Sequence, residues 1–172
     1  MTQTTKERAV STATLTFSEP TLDDGKAMWE LVDNSTLDQN SAYKYLMMSE
    51  FFSDTCVVAK EDDKLVGFVT AFIPPEHPDV VFVWQIGVDS SQRGKGVASK
   101  LLNELVAREA CQDVHYLEAT VTPSNEASQS LFRRLARDHD TECKVTERFT
   151  EEMFPGDGHE EELNFRIGPF KR

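Results

Sequence analysis

Between residues 81 and 98 an apolar run, Val81-Phe82-Val83-Trp84-Gln85-Ile86-Gly87-Val88, gives way to Gln92-Arg93-Gly94-Lys95-Gly96-Val97-Ala98. Two glycines one residue apart let the backbone approach a ligand without Cβ obstruction, and the free amides of a following helix turn attract an anion. Arg93 and Lys95 add local positive charge to a chain of net charge -12, so the chemistry on offer is phosphate binding. A nucleoside-triphosphate loop requires Gly-Lys-Ser/Thr, and here Val97 follows Gly96. A dinucleotide fingerprint requires a third glycine where Ser99 stands. A plain glycine turn between strand and helix also accounts for a lone Gly-x-Gly, so the rest of the chain must decide.

A second set of chemistry-bearing residues lies upstream. Asp33-Asn34-Ser35-Thr36-Leu37-Asp38-Gln39-Asn40-Ser41 carries more polar groups than a helix connection needs. Asp33, Asp38, Asn40 and the following Tyr43 are candidate substrate contacts, with helix capping the competing role for Asp38 and Asn40. Trp84 alone would be core, but Gln85 beside it is a polar residue where a fully buried strand avoids one, and the pair reads as a pocket wall. Glu162 opens a late strand next to Glu160 and Glu161, either as a substrate contact or within a solvated charge run. His77, His115, His139 and His159 lack metal-ligand spacing, and no metal is expected; His159, near Glu162, is a loop histidine within reach of a proton-relay role.

These residues need elements to hold them. Residues 1–11 show no periodicity and are expected to be a flexible tail ahead of a single domain over residues 12–172. Thr12 to Ser18 alternate as a strand, with Ala13, Leu15 and Phe17 on one face. Pro20-Thr21-Leu22-Asp23-Asp24 starts a helix with Met28, Leu31 and Val32 inward, and a second helix runs from about Ser41 to Phe52 with Tyr43, Leu46 and Met47 on one side. Thr55 to Ala59 and Leu65 to Ile73 form a hairpin about Glu61-Asp62-Asp63-Lys64, with a bulge near Gly67. After the glycine loop, Val97, Leu101 and Leu105 give a helix one face for a sheet. Tyr116 to Val121 is a strand, Asn125 caps a helix with Ala127, Leu131, Phe132 and Leu135 inward, and two strands near Glu142 to Arg148 and Glu162 to Ile167 end the chain. Two helix N-termini would then flank one ligand.

At 172 residues and 19.5 kDa the chain can bury a full core. With 30 acidic against 18 basic residues it would repel nucleic acid, and no apolar run is long enough for a membrane span. Cys56, Cys111 and Cys143 are odd in number and widely spaced, which points to reduced thiols; with a polar start to the chain, cytoplasm is the expected compartment.

The order β, α, α, β, β, β, α, β, α, β, β, with the glycine loop after the fourth strand and Asn125 opening the last helix, resembles the GNAT N-acetyltransferases over nearly the whole chain. Five segments narrow the resemblance: Leu37-Asp38-Gln39-Asn40-Ser41-Ala42-Tyr43, Phe82-Val83-Trp84-Gln85, Val88-Asp89-Ser90-Ser91, Ser124-Asn125-Glu126-Ala127-Ser128-Gln129 and Arg166-Ile167-Gly168-Pro169-Phe170. They resemble the diaminobutyrate acetyltransferases of ectoine synthesis. The fold so implied is α/β, a mixed central sheet splayed at the acyl-CoA site and flanked by helices.

The resemblance also implies acetyl-CoA as cosubstrate, its pantetheine along the backbone of Ile86 and Val88, its pyrophosphate on Arg93, Gly94, Lys95, Gly96, Val97 and Ala98, and contacts from Asn125 and Phe132. Val88 N–H would stabilise the oxyanion formed when an amine attacks the thioester. An alkylammonium titrates near ~10 and must first lose a proton. Tyr43 and Glu162 are the expected catalytic side chains, with the assignment of base and acid left open. The broad family usually offers a tyrosine on the last helix, and this chain has Phe132. The partners implied are a small diamino acid and acetyl-CoA, with a homodimer left open. Rival functions are acetylation of another small amine or of a protein N-terminus, and a noncatalytic acyl-CoA sensor.

Overall fold

The computed structural model describes residues 14–172. The expected tail and the first residues of the first strand, Thr12 and Ala13, lie outside them. The elements are β1 (Leu15–Ser18), α1 (Leu22–Asp33), α2 (Ala42–Phe51), β2 (Val57–Glu61), β3 (Lys64–Phe72), β4 (Val80–Val88), α3 (Val97–Val106), β5 (Tyr116–Val121), α4 (Glu126–Asp138), β6 (Glu142–Phe149) and β7 (Glu162–Gly168). All seven strands join one sheet in the order β1-β2-β3-β4-β5-β7-β6. Among the described residues only β4 and β5 pair in parallel, because α3 carries the chain across the sheet between them.

Local chemistry accounts for the boundaries. Thr21 and Asp24 form a reciprocal capping box at the start of α1. Asp62 and Asp63, both at positive φ, make the two-residue turn between β2 and β3. The expected bulge is present, with Ala59 opposite Gly67 and Lys60 opposite Leu65. A Cβ at Gly67 would stand 3.2 Å from Leu101 of α3, so this glycine also admits the helix.

Two apolar clusters sandwich the sheet. On one face α3 and α4 bury Val97, Leu101, Leu105, Phe132 and Leu135 against Val81, Val83, Leu117 and Phe165. On the other, α1 and α2 bury Met28, Val32 and Tyr45 against Val58 and Phe68. For α2 this reverses the expectation: Tyr43 and Leu46 are exposed, while Lys44, Tyr45, Met48 and Ser49 face inward. Apolar and aromatic residues surround this helix, so its pattern selects no face. On α4, Ala127 is exposed and Leu131 half-buried, and the packed face is Phe132, Leu135 and Ala136.

Candidate active site

The site originates in two irregularities of β4. Thr70 pairs with Gln85 and Ala71 with Val83, leaving Trp84 as an extra residue in a bulge. Because side chains alternate along a strand, one extra residue exchanges the faces beyond it. Val81 and Val83 face the α3/α4 cluster before the bulge, and after it Ile86 and Val88 do so. Gln85 and Gly87 are thereby turned toward α1 and α2. At Gly87 a Cβ would lie 2.9 Å from Phe68 and 3.0 Å from Leu37, so glycine here lets the α1–α2 connection rest on the strand.

The second irregularity is a parting. Pairing of β4 with β5 runs from Val80 opposite Tyr116 to Val83 opposite Ala119 and stops there. Beyond Trp84 the two strands have no ladder between them. Asp89 N–H donates to the Val66 carbonyl at 2.8 Å, which sets the antiparallel β3–β4 register. Hydrogen-bonded positions alternate in such a ladder, so Gly87 bonds β3 whereas Ile86 and Val88 direct their N–H and C=O groups into the gap.

A cavity of about 790 Å³ opens from this gap. Its walls come from the α1–α2 connection (Asn34, Ser35, Thr36, Leu37), from Ile86, Gly87 and Val88, and from the first turns of both α3 (Ala98, Ser99) and α4 (Ala127, Ser128). Two helix N-termini therefore face one cavity, as the sequence implied, each with its positive dipole end; α3 has no side-chain cap, whereas in α4 the Asn125 side chain already accepts from Ser128 N–H. Arg93, Arg134 and Arg137 line it as well, giving it a cationic rim. The two α4 arginines had no motif to announce them; their i, i+3 spacing on the exposed side of an amphipathic helix is the only trace in the sequence.

The loop itself is held by its polar residues. Buried Gln92 donates to Glu61 at the end of β2 at 2.9 Å, and Asp89 accepts from Ser91. Gly94 and Gly96 sit at φ +75° and +71°, in the left-handed region, and nothing lies within 4 Å of a Cβ placed on either. Lys95 is exposed. Val97 is 2% exposed and its side chain belongs to the core, leaving only its backbone for a ligand. Asn125 caps α4, its side chain accepting from Ser128 N–H at 3.1 Å. Phe132, expected at the cofactor, lies in the core 6.5 Å from the Phe165 ring and does not line the cavity. Its place in the inward stripe of α4 dictates that.

At the α2 end of the gap a different cluster forms. The Gln85 side-chain oxygen accepts from Lys44 Nζ at 2.8 Å and from the Tyr45 hydroxyl at 2.7 Å, and its Nε2 donates to the Asp38 carbonyl at 2.9 Å. The Lys44 ammonium stands 4.4 Å from the centre of the Trp84 ring, which is 49% exposed. Burial lowers the Lys44 pKa from 10.5 to about 7 against a smaller opposing pull from Cys56, and burial raises that of Tyr45 against hydrogen bonds with Asn40 and Gln85. Glu162 is half-buried, and burial raises its pKa despite a hydrogen bond with Thr120 and attraction by His159; repulsion from Asp38 and Glu160 adds to the rise. Asp38, Asn40, Trp84, Gln85 and Glu162 thus gather at one end of the gap. Ser41 takes the N-cap position of α2, so neither Asp38 nor Asn40 caps it. Asp33 ends α1 and contacts Gln39 at 3.4 Å. Tyr43 is 68% exposed, on the outer side of α2, and its neighbours Lys44 and Tyr45 supply the inward polar groups.

A mixed sheet whose fourth and fifth strands part, with a glycine loop and two helix N-termini at the opening, defines an acyl-CoA-dependent acetyltransferase fold: the chain belongs to the Acetyltransferase (GNAT) family, which it matches over residues 25–136. More narrowly, it is 69% identical to an L-2,4-diaminobutyric acid acetyltransferase of Halalkalibacterium halodurans over 91% of this chain and 82% of that one. It is 67% identical to a protein of the same name from Marinococcus halophilus, over 94% of both. Among solved structures it superimposes with a TM-score of 0.88, at 40% identity and over 93% and 98% of the two chains, on diaminobutyrate acetyltransferase EctA from Paenibacillus lautus, determined with L-2,4-diaminobutyric acid and coenzyme A. The Escherichia coli ribosomal-protein-S18-alanine N-acetyltransferase, 19% identical with a TM-score of 0.68 over 92% and 96% of the chains, shares the fold.

Two outcomes follow for the site. Valine at position 96 must adopt a left-handed backbone at a cost of about 1–2 kcal/mol, and its branched side chain would occupy the space a pyrophosphate needs. Gly96→Val should fold and bind CoA at least about tenfold more weakly by calorimetry; a folded variant of unchanged affinity would place the pyrophosphate elsewhere. The second outcome concerns Lys44. Unfolded chains hold its proton up to 10.5 whereas the folded protein releases it from about 7, so the unfolded state binds more protons between these values and stability rises with pH. Burial pushes the Cys56 thiol from 9.0 up to about 11, which acts in the opposite sense above pH 9. The urea midpoint should therefore climb from about pH 7 to 9 in the wild type and flatten in Lys44→Met; equal slopes would contradict the buried-lysine account.

Proposed function

We propose that this protein transfers the acetyl group of acetyl-CoA to the side-chain amine of L-2,4-diaminobutyrate, giving 4-N-acetyl-L-2,4-diaminobutyrate, the step that the sequence resemblance assigns to ectoine synthesis. The observation that carries the reading is the polarised gap: cationic residues and two helix N-termini at one end, and Asp38, Glu162 and Trp84 at the other. The 40–69% identity to diaminobutyrate acetyltransferases over nine-tenths of the chain supports the acceptor.

In this reading acetyl-CoA lies between β4 and β5, its phosphates on the loop from Arg93 to Ala98 and against Arg134 and Arg137, and its pantetheine beside Ile86 and Val88. The acceptor enters from the α2 side. Its ammonium groups meet Asp38 and Glu162, and Trp84 covers its methylene chain. A carboxyl whose pKa burial has raised is a better proton acceptor than an ordinary glutamate, so Glu162 is the group we assign to take the ammonium proton, directly or through water. The freed amine attacks the thioester carbon; the new C–N bond forms, the oxyanion is held by Val88 N–H, the C–S bond breaks to release CoA thiolate, and the surplus proton on the nitrogen passes to that thiolate or to water. With a pKa near the cysteine value of roughly 8.5, that thiolate leaves without an obligatory acid. Phe132 cannot serve as one.

The decisive assay is release of free CoA. With acetyl-CoA and L-2,4-diaminobutyrate the protein should release it and form the 4-N-acetyl product; release with other amines only would remove this acceptor, and none with any amine would leave a CoA-binding sensor. Glu162→Gln should lower kcat/KM for the acceptor about 10- to 150-fold while CoA binding persists. In the wild type the acidic limb of that kcat/KM should lie above the ordinary glutamate range, and the substitution should remove it. A limb that survives in Glu162→Gln would assign the proton transfer to another group.

A further inference from the structure

Three groups meet at one side-chain amide. Gln85 Oε1 accepts from Lys44 Nζ at 2.8 Å and Tyr45 Oη at 2.7 Å, while Nε2 donates to the Asp38 carbonyl at 2.9 Å. An ammonium has only donors and a carbonyl only acceptors, so the amide can point one way: oxygen to α2, NH₂ to the Asp38 segment. We propose that Lys44 and Tyr45 are positioning residues for the acceptor, which act through the Gln85 amide to hold the Asp38 segment and the bulged Trp84 at the α2 end of the gap. This rests on the reading of that end as the acceptor site.

The energetics favour this role over a packing one. Lys44 is 6% exposed and forms no ion pair among the described residues; its close contacts are Gln85 and the Tyr45 and Trp84 rings, and the Cys56 thiol acts on it by charge. A buried ammonium with neutral partners costs stability that an apolar residue of similar length would not. Tyr45 is fully buried, edge-on to Phe68 at 5.8 Å, so its ring is fixed by the core and its hydroxyl is delivered to Gln85 without freedom to choose. The amide is therefore clamped from a rigid helix, and what it clamps is a connection with no regular structure of its own. Sequence order disguises the arrangement, since residues 38, 44 and 85 are joined only by the bulge that turns Gln85 toward α2.

The test is a double-mutant cycle read by KM for diaminobutyrate, KM for acetyl-CoA and melting temperature. Lys44→Met should raise the acceptor KM about tenfold, leave the acetyl-CoA KM within about twofold, and melt no lower than the wild type because a buried charge is gone. Gln85→Leu should show the same pattern, and adding Lys44→Met to it should cause no further loss, because both act through one amide. Tyr45→Phe keeps the ring, and its smaller loss should likewise vanish in the Gln85→Leu background. Losses that multiply, or a lower melting temperature with unchanged acceptor KM, would overturn the positioning role while leaving the acceptor site in place. If Gln85→Leu alone leaves the acceptor KM unchanged in an enzyme active on diaminobutyrate, the location of the acceptor fails, and the proposal with it.

Discussion

The parting of β4 from β5 after Val83 creates the space in which every proposed contact is made. A parallel pair would ordinarily satisfy its backbone groups with each other, and leaving the gap-facing N–H and C=O groups of Ile86 and Val88 without a β5 partner has a cost that a ligand can offset. The parting is stabilised from three sides. The Trp84 bulge bends β4, Gly87 lets Leu37 and Phe68 close over its other face, and α3 and α4 hold the two strands from below. Each feature separately is a common sheet irregularity. Together they turn an edge of hydrogen-bonding groups inside the molecule into a channel of defined polarity.

That polarity explains how an acidic protein, with a net charge of -12, accommodates a polyanionic cosubstrate. The anion end is built from fixed dipoles and three arginines at the cavity, whose effect is local and shielded from the surrounding acidity within about 8–10 Å at cellular ionic strength. The opposite end keeps its carboxylates and one buried lysine. A zwitterionic acceptor with an extra amine fits such a mixture better than an uncharged amine would, and the general acidity draws cations toward the opening.

Much of this was legible in the sequence because it is written in short-range chemistry. The glycine loop after an apolar strand, the Asn125 cap and the Asp62-Asp63 turn each depend on neighbours within a few residues, and they bound six of the described elements, β2, β3, β4, α3, β5 and α4. Gln85 was conspicuous because a polar side chain broke an apolar strand. What the sequence did not disclose depends on faces rather than spacing. On α2, apolar residues on all sides conceal that Lys44 and Tyr45 point inward and Tyr43 outward. On α4, Phe132 stands where a site residue would be sought, yet the amphipathic stripe carries it into the core, while Arg134 and Arg137 on the polar side reach the cavity. The face reversal after Trp84 cannot be read from alternation, since a bulge is the insertion that breaks alternation.

In the proposed reaction the thioester lies in the gap with its carbonyl oxygen on Val88 N–H and the attacking amine on the Trp84 and Glu162 side. A crystal structure of the protein with a bisubstrate adduct, diaminobutyrate joined through its 4-amine and an acetyl bridge to the CoA sulfur, tests this most directly. The bridging carbonyl oxygen should lie within hydrogen-bond distance of Val88 N, about 2.7–3.2 Å, with the amino-acid portion against Trp84 and Glu162 and the pyrophosphate on the loop from Arg93 to Ala98. An adduct whose carbonyl is held by another donor, or whose amino-acid portion lies away from Trp84 and Glu162, would contradict it.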